Sequence, residues 1–381
     1  MNILHVIESL DPALGGPSVS SPSLATAQAM LNHNVTICCY KDNSSEEAHA
    51  LRNASIPNLD LVNIVYIDSD GFLEKIFAKD AANILEELIM KADVVQIHGV
   101  WRPMLLKTCQ LAKKYDKKYI ITPRGMLDPW SLKQSFIKKK IALIMGWRSA
   151  LNSCFYIHAL NQSEKDLLSP LNLKCDVNVF PNGFFENFSS NIPEHNKFYQ
   201  LHPELNNRPY ILFLSRLHYK KGLDYLADAF VLFSKVNDDI DLVVAGPDGG
   251  AKAEFEAVID KHNLNNRVHI IGPIYGEEKF SALVDAFCFC LPSRQEGFSM
   301  AITEALACST PVVISKDCHF PEVNDANAGY VTNLSPEEIS NAFSNLAIST
   351  EKRQQFADSA RKLVYENYLW EKIASDVIRH Y

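Results

Sequence analysis

Short apolar runs alternate with helical patterns along most of the chain, and this alternation constrains the fold more than any other feature. Runs such as NILHVIES, VTICCY, DVVQIHG and KYIITPRG are rich in β-branched and aromatic residues. The segments between such runs, for example PMLLKTCQLAKKYD, carry apolar residues at helical spacing. Strands that alternate with helices build a parallel sheet covered by helices on both faces. The sequence therefore predicts an α/β fold.

The alternation occurs twice, on the two sides of a polar segment. The segment FENFSSNIPEHNKFYQLHPELNNRP is irregular and contains prolines, and the rhythm restarts after it with YILFLSRL. A chain of 381 residues is too long for one ordinary core. We therefore predict two Rossmann-like domains, an N-terminal one at 1–190 and a C-terminal one at 205–362.

In a parallel sheet of this kind, ligands bind beyond the carboxyl ends of the strands. The residues that are unusual for a packed core follow the predicted strands at those ends. They are Gly15–Gly16, His98–Gly99, Arg124–Gly125, Asn182–Gly183, Arg216, Gly246, Gly272 and Glu296.

Composition narrows the function classes. The formal net charge is −8, so we expect no general attraction for nucleic acid or for an anionic membrane. The nine cysteines lack metal-ligand spacing, and pairs such as Cys38–Cys39 fall in predicted buried strands. The sequence shows no basic leader typical of a signal peptide and no apolar run typical of a membrane span. We therefore predict a protein of the reducing cytoplasm without disulfides.

The segment SRQEGFSMAITEALA places two glutamates eight positions apart. Glu296 precedes a predicted helix and Glu304 lies inside it, among apolar residues. An unpaired carboxylate in such surroundings is costly, so a partner is expected. A ligand with several hydroxyl groups suits the pair, since a carboxylate accepts two hydrogen bonds from a vicinal diol. The alternative is a solvated Glu296 and a Glu304 that pairs with a neighbouring Lys or Arg.

Two further segments suggest phosphate binding. In SRLHYKKG, Arg216 follows a strand and Lys221 comes five residues later, so the two cations suit a diphosphate, although a basic surface turn would read the same. In LDPALGGPSVSS, Gly15 and Gly16 would let a backbone approach phosphate closely. This is no G-x-G-x-x-G fingerprint, so a nicotinamide cofactor is not indicated.

Taken in order and spacing, these segments resemble the retaining family-4 glycosyltransferases of GT-B fold, whose signature is the E-x7-E pair. The resemblance is carried by SRLHYKKG and EGFSMAITEALACSTPVV, and extends to HGVW, TPRGML, NQSEKDLL and PNG. It implies two Rossmann-like domains whose parallel sheets face each other across a cleft. It also implies that a last helix, at 363–381, returns to pack on the first domain.

The resemblance implies a donor site in the second domain. Glu304 would hold the ribose hydroxyls, and Glu296 the hydroxyls of the donor sugar. Arg216 and Lys221 would hold the diphosphate, and Gly16 of the first domain would close on it. The remaining donor contacts implied are backbone N–H groups near Glu296 and residues lining the base: Gly297, Phe298, Ser299, Met300, Gly272, Pro273 and Ile274.

The same resemblance implies the chemistry. His98 would lie near the reacting sugar, and with Arg216, Lys221 and Glu296 it forms our expected catalytic set. Fixed cations and helix N-termini would stabilise the departing diphosphate without a metal or a cofactor. Arg124, at a strand end of the first domain, is the expected acceptor-binding residue.

The predicted function is transfer of a hexose, with glucose as the leading expectation, from a UDP-sugar to a bacterial envelope polysaccharide, exopolysaccharide or lipid-linked saccharide. One alternative is a nucleotide-sugar epimerase or hydrolase, which would consume the donor without an acceptor. The other is a non-catalytic nucleotide-sugar-binding protein that has kept the fold.

Three segments allow two interpretations each. Residues 131–151 interleave lysines with apolar residues, as in a helix that lies on a membrane surface or in an ordinary helix with a solvated lysine face. Asp68 and Asp70 form a D-x-D pair like the metal site of another glycosyltransferase fold, but we interpret them as turn residues. His158 is expected to be a core or cleft-wall histidine.

Overall fold

The computed structural model describes residues 1–11, 15–42, 49, 56–68, 74, 78–186 and 192–381. These residues divide into two compact units. The first unit comprises residues 1–185 together with 370–381, and the second comprises residues 186–369.

The described part of the first unit contains a seven-stranded sheet in the order β3-β2-β1-β4-β5-β6-β7, with every neighbouring pair parallel. The strands are β1 Asn2–Ser9, β2 Asn34–Tyr40, β3 Asn63–Ile67, β4 Val94–His98, β5 Lys118–Thr122, β6 Tyr156–Ala159 and β7 Asp176–Val179. The strand order reverses between β1 and β4. The carboxyl ends of these two strands therefore border the crevice at which such sheets bind ligands.

Most successive strands of this sheet are connected by α-helices, as parallel pairing requires. The bounds of the α-helices of this unit are Pro17–Met30, Lys79–Lys91, Pro103–Lys114, Pro129–Lys133, Phe136–Ala142, Arg148–Ser153, Gln162–Leu167 and Trp370–Arg379. The first of these is buried over most of its length although it contains four buried serines. Their hydroxyls donate to backbone carbonyls three or four residues earlier, which satisfies them inside the core.

The second unit repeats the design with a six-stranded parallel sheet in the order β10-β9-β8-β11-β12-β13. The strands are β8 Tyr210–Leu214, β9 Asp241–Ala245, β10 Val268–Gly272, β11 Cys288–Leu291, β12 Val312–Ser315 and β13 Gly329–Thr332. The α-helices are Lys197–Leu201, Leu223–Ser234, Lys252–Lys261, Gly276–Asp285, Met300–Ala307, Glu322–Asp325, Pro336–Ile348 and Thr350–Asn367. Here the strand order reverses between β8 and β11.

The two parallel sheets confirm the predicted α/β class. Strands β1, β8, β9, β11 and β12 are buried over most or all of their length, as expected for strands covered on both faces. All nine cysteines carry free thiols, and eight of them are buried, as Cys38 and Cys39 are in β2. Among the described residues, no helix combines the length and the apolarity needed to cross a bilayer.

The end of the chain differs from the single helix expected from residue 363 onward. One helix ends at Asn367, and a separate one, Trp370–Arg379, belongs to the first unit. Tyr368 leaves the helical conformation with φ −124° and ψ 29°. Its ring packs against Phe298 and Phe320, at 6.0 Å and 5.2 Å between ring centroids, inside the second unit. The packing of this ring fixes where the first helix stops.

Candidate functional site at the strand ends

In the second unit, the loops after β8 and β11 bring Lys221 and Glu296 together. The Lys221 Nζ lies 2.6 Å from Glu296 Oε1. Glu296 is only 7% exposed. Burial by itself would raise the pKa of this carboxyl, but the charges of Lys221 and Lys220 outweigh that effect and hold the pKa below its ordinary value. Glu296 is therefore an ionised, acceptor-only group at neutral pH.

A close backbone contact fixes the position of Lys221. Residues Tyr219–Lys221 form a 3-10 turn that ends at Gly222, whose φ is 72°. A Cβ at Gly222 would lie 1.9 Å from the carbonyl oxygen of Pro292, so only glycine fits between the two loops. The turn that carries Lys221 thus rests directly on the loop that carries Glu296.

Arg294 ties the same two loops together. Its guanidinium stacks on the Tyr219 ring at 3.8 Å and lies 4.7 Å from the Tyr225 ring. It also donates to the Tyr219 carbonyl at 2.7 Å and to the Asp224 carboxylate at 2.8 Å. The backbone N–H of Arg294 donates to the Lys220 carbonyl at 2.8 Å. Sequence reasoning missed this residue, because one arginine in a loop carries no signal of its contacts.

Arg216 lies two positions after the end of β8, at the same edge of the sheet. Its side chain is exposed, and among the described residues it forms no ion pair with a carboxylate. Its charge contributes to a lowered pKa of His218, after burial. An exposed guanidinium next to the Lys221 turn is available to an anionic ligand.

Glu304 meets a cation of the protein. Its Oε1 accepts a hydrogen bond of 2.7 Å from Lys279 Nζ, on helix Gly276–Asp285. Its side chain is 12% exposed. In the structure, the partner of Glu304 is therefore a lysine of the protein, as in the alternative interpretation of the sequence. Lys279 was not among the predicted site residues, because 25 positions separate it from Glu304.

The other expected donor contacts lie at the same sheet edge. Gly272 ends β10 with φ 79°, Pro273 is exposed and Ile274 is buried. Ser299 is the N-cap of helix Met300–Ala307, and its hydroxyl does not cap the helix. The first N–H groups of a helix lack intrahelical partners and favour anions or oxygen-rich ligands. Gly297 and Phe298 form the short approach to this helix.

In the first unit, the end of β4 places His98 directly against Arg124. Arg124 Nη2 lies 3.0 Å from His98 Nδ1, and Arg124 Nη1 donates to Ser20 Oγ at 2.7 Å. Burial lowers the pKa of Arg124 to about 10, partly offset by the charge of Glu164. Burial, followed by the charge of Arg124, lowers the pKa of His98 well below its ordinary value. His98 is thus neutral and Arg124 is cationic at neutral pH.

His98 is 3% exposed, and protein atoms occupy both of its ring nitrogens. The second contact joins His98 Nε2 to His5 Nδ1 at 2.8 Å, and the two rings are stacked. The expected direct contact of His98 with a donor sugar stays a prediction. It requires Arg124 to release the Nδ1 atom.

Two family profiles together cover most of the chain. Residues 14–185 match Glycosyltransferase Family 4, and residues 196–363 match Glycosyl transferases group 1. The chain belongs to glycosyltransferase family 4.

Relatives of this family-4 glycosyltransferase match over part of their length. An uncharacterized glycosyltransferase of Methanocaldococcus jannaschii is 28% identical over 45% of this chain and 44% of its own. The lipopolysaccharide 1,2-N-acetylglucosaminetransferase of Salmonella typhimurium is 29% identical over 52% of this chain and 54% of its own. The chain thus spans about half of the length of these relatives.

One solved structure extends the likeness over the whole family-4 chain. HepE of Anabaena, in complex with UDP and glucose, aligns over 99% of this chain and 98% of its own. The TM-score is 0.80 at 17% sequence identity. This likeness confirms the fold, two Rossmann-like domains of GT-B type.

The predicted residues still to be placed are Gly16, Asp68, Asp70 and His158. Gly16 caps helix Pro17–Met30, and a Cβ there would meet no atom within 4 Å, so the space beside it is open. Asp68 is exposed after β3, and Asp70 lies outside the described residues. His158 is buried, as expected for a core histidine. Within the described part of the chain, no three His, Cys, Asp or Glu side chains are grouped as metal ligands.

Proposed function

We propose that this protein is a retaining glycosyltransferase that moves a hexose from a nucleotide sugar to a saccharide acceptor. The observation that carries the proposal is the Lys221–Glu296 pair at the ends of β8 and β11. A buried carboxylate beside a half-buried lysine offers a hydroxyl acceptor and an anion-binding group within one site. Glucose linked to UDP is the leading donor, supported by the HepE complex with UDP and glucose.

The ion pairs hold both carboxylates ready for a sugar. Lys221 and Arg216 bind the diphosphate, Glu296 accepts hydrogen bonds from the donor sugar, and Glu304 accepts them from the ribose. Lys279 orients Glu304 until the ribose arrives. The lysine side chains of these pairs are 18% and 17% exposed, so a ligand can reach them and take the place of one protein partner.

The bond between the anomeric carbon and the diphosphate oxygen breaks as the acceptor oxygen bonds to the same face of that carbon. The acceptor proton passes to the departing diphosphate oxygen. Arg216, Lys221 and the start of helix Met300–Ala307 stabilise the charge that grows on the diphosphate. The reaction takes no cofactor. Arg124 binds an anionic group of the acceptor. We propose that this acceptor is an envelope polysaccharide, an exopolysaccharide or a lipid-linked saccharide.

Calorimetric binding of UDP, GDP and ADP tests the nucleotide. Release of nucleotide from a panel of donors, with and without EDTA and with and without glycan acceptors, then tests the reaction. Selective UDP binding and EDTA-resistant release that needs an acceptor support the proposal, and an NMR coupling constant of the product tests retention. Donor turnover that is independent of acceptor would indicate the epimerase or hydrolase. Binding without turnover of any donor would indicate a binding protein.

We further propose that residues 131–151 rest on an anionic lipid surface. Helix Phe136–Ala142 and the π-helical turn that follows expose Ile137, Ile144 and Met145 by 72%, 79% and 74%. Lys138 and Lys140 are exposed between them, and no acidic residue occurs from Pro129 to Ser163. An ordinary helix would turn these apolar side chains inward, whereas a lipid interface accommodates both side-chain types.

Sedimentation with phosphatidylglycerol and phosphatidylcholine vesicles tests the lipid proposal. Binding to the anionic vesicles only, lost in I144S/M145S and reduced in K138Q/K140Q, is expected. The matched control is I348S, because Ile348 is 83% exposed on the second unit. Equal sedimentation of the wild type and I144S/M145S would show that this surface does not bind lipid.

A further inference from the structure

A continuous line of buried hydrogen bonds leads away from Arg124 into the first unit. We call it the buried network, and its members are, in order, Arg124, His98, His5, Gln28, Tyr381, Gln96, His158 and the carbonyl of Phe180. We propose that Tyr381 and Gln28 are positioning residues, which fix His98 in one tautomer so that its Nδ1 atom holds the Arg124 guanidinium for the acceptor. The inference rests on the proposed transferase function, in which Arg124 binds the acceptor.

The half of the network near Arg124 has only one consistent set of proton positions. An arginine can only donate, so the contact of 3.0 Å makes His98 Nδ1 an acceptor. Neutral His98 then carries its proton on Nε2 and donates to His5 Nδ1 at 2.8 Å. His5 in turn carries its proton on Nε2 and donates to Gln28 Oε1 at 2.7 Å.

The other half of the network, followed from the Phe180 carbonyl, gives the same direction of hydrogen-bond donation. The Phe180 carbonyl can only accept, so His158 donates to it from Nε2 at 2.8 Å and accepts at Nδ1. Gln96 Nε2 supplies that second hydrogen bond at 2.9 Å, which leaves Gln96 Oε1 to accept. Both halves meet at Tyr381, whose hydroxyl donates to Gln96 and accepts from Gln28 Nε2, at 2.6 Å each.

The members of the network are buried, and this makes the loss of any one hydrogen bond costly. His5, Gln28 and Gln96 have no exposed surface, and His158 is 2% exposed. Water cannot replace a lost partner at such depth, so an inverted amide would leave a donor facing a donor. The Tyr381 hydroxyl accepts from Gln28 Nε2 and thereby favours the orientation of the Gln28 amide that places Oε1 against His5 Nε2.

Loss of the Tyr381 hydroxyl frees the amide of Gln28 to invert. The inverted amide donates to His5 Nε2 and thereby moves the His5 proton to Nδ1. His5 then donates to His98 Nε2, and the His98 proton moves to Nδ1, where it opposes Arg124. The expected consequence is a mixture of His98 tautomers and a poorly held guanidinium, while the donor residues of the second unit are unchanged.

Histidine ring nitrogen NMR of the wild type and Y381F tests the inference, with His98 assigned by H98Q. We expect protonated Nε2 and unprotonated Nδ1 in the wild type, and averaged nitrogen shifts in Y381F. We also expect the acceptor KM of Y381F to rise about tenfold with UDP affinity unchanged. Q28E is the second variant, because a carboxylate beside His5 Nε2 draws a second proton onto His5 and moves the His98 proton in the same way.

The matched control is Y119F. Tyr119 is also buried in the first unit, and its hydroxyl donates to the Ala150 carbonyl at 2.7 Å, outside the buried network. Unchanged His98 shifts in Y381F and Q28E, or an equal KM rise in Y119F, would overturn the inference. The nitrogen shifts are measured without substrate. If the wild type transfers no sugar, that result counts against the proposed function, and the nitrogen shifts still test the positions of the protons.

Discussion

The first unit carries two neutral histidines that hydrogen-bond to each other, His5 in the middle of β1 and His98 at the end of β4, and His98 also contacts Arg124. In the second unit, the loops after β8 and β11 carry the Lys221–Glu296 ion pair. The two sheets share the same order of strands around the reversal. The histidines and glutamines of the buried network are neutral and buried, so they cannot exchange partners without leaving polar groups unpaired. The Lys221–Glu296 pair can exchange a protein partner for a ligand, because the lysine side chain is 18% exposed. We infer that one unit holds its binding group by rigidity and the other by replaceable charges.

The largest expected effect is a greater loss of folding stability in the first unit than in the second as the pH falls. Burial is the largest cause of the low pKa of His5, about 4, and of His158, about 3, and His98 is lowered in the same direction. Below the unfolded-chain value of about 6.5 the unfolded state binds more protons, so stability is complete above that pH and falls toward the folded-state pKa. Each histidine removes up to about 1.4 kcal/mol per pH unit, in total of the order of 5 kcal/mol at pH 5.

All four tryptophans, Trp101, Trp130, Trp147 and Trp370, belong to the first unit, so their fluorescence reports on it alone. In the second unit, Asp241 has a lowered pKa, because hydrogen bonds from His269, Arg267 and Arg208 outweigh its burial. This contribution is lost only as the pH falls below about 3.9. His218 of the second unit also has a lowered pKa, but it is one half-buried histidine against three buried ones in the first unit. In urea titrations, the stability reported by tryptophan fluorescence should therefore fall more between pH 7 and pH 5 than that of the second unit. Equal weakening of a second-unit probe, hydrogen exchange in β8 and β9, would contradict the comparison.

The next effect tests the replaceable charges. E296A should lower the transfer rate by about 10²–10³-fold, because it removes the hydroxyl acceptor and the partner of Lys221. UDP affinity should stay within about threefold, since free UDP lacks the donor hexose that Glu296 would bind. Calorimetry and initial rates on the same sample measure both. A large loss of UDP affinity in E296A would mean that Glu296 binds the nucleotide.

E304A, in contrast to E296A, should act on the affinity for UDP. UDP affinity should fall about 10–100-fold, as expected for the loss of charge-assisted hydrogen bonds to the ribose. K279A is the comparison variant, because it removes the partner of Glu304 and leaves the carboxylate in place. We expect a smaller loss of UDP affinity in K279A. If E304A binds UDP like the wild type, Glu304 is only the structural partner of Lys279.

The smallest effect concerns the loop that carries Lys221. R294A removes the stacking on Tyr219 and the bond to Asp224, so the Lys221 turn is held less firmly. UDP affinity should fall about 3–10-fold, because the charges that bind the diphosphate are unchanged. R353A is a suitable control, since Arg353 also lies over an aromatic ring, Phe287, at 4.8 Å. Equal effects of both variants would indicate a general loss of stability.

The predicted strands follow the observed ones closely, because strands covered on both faces consist of apolar runs of the right length. Strand β13, Gly329–Thr332, went unrecognised. It is a short edge strand, and it begins at a glycine whose Cβ would lie 2.1 Å from the Val312 carbonyl. Such a residue is read as a turn in sequence and as close strand packing only in the fold.

The sequence by itself determined the α/β class, the strand-end positions of the site residues and the family, because periodicity and motif spacing are local properties of the chain. Only the tertiary structure decided the partners. Lys279 for Glu304, Arg294 for the Lys221 turn and Tyr381 for the buried network come from distant positions. Tyr381 lies 353 residues from Gln28 in sequence and 2.6 Å from it in space. Hydrogen bonds depend on distance and direction between atoms, and these exist only once the strands and helices have packed.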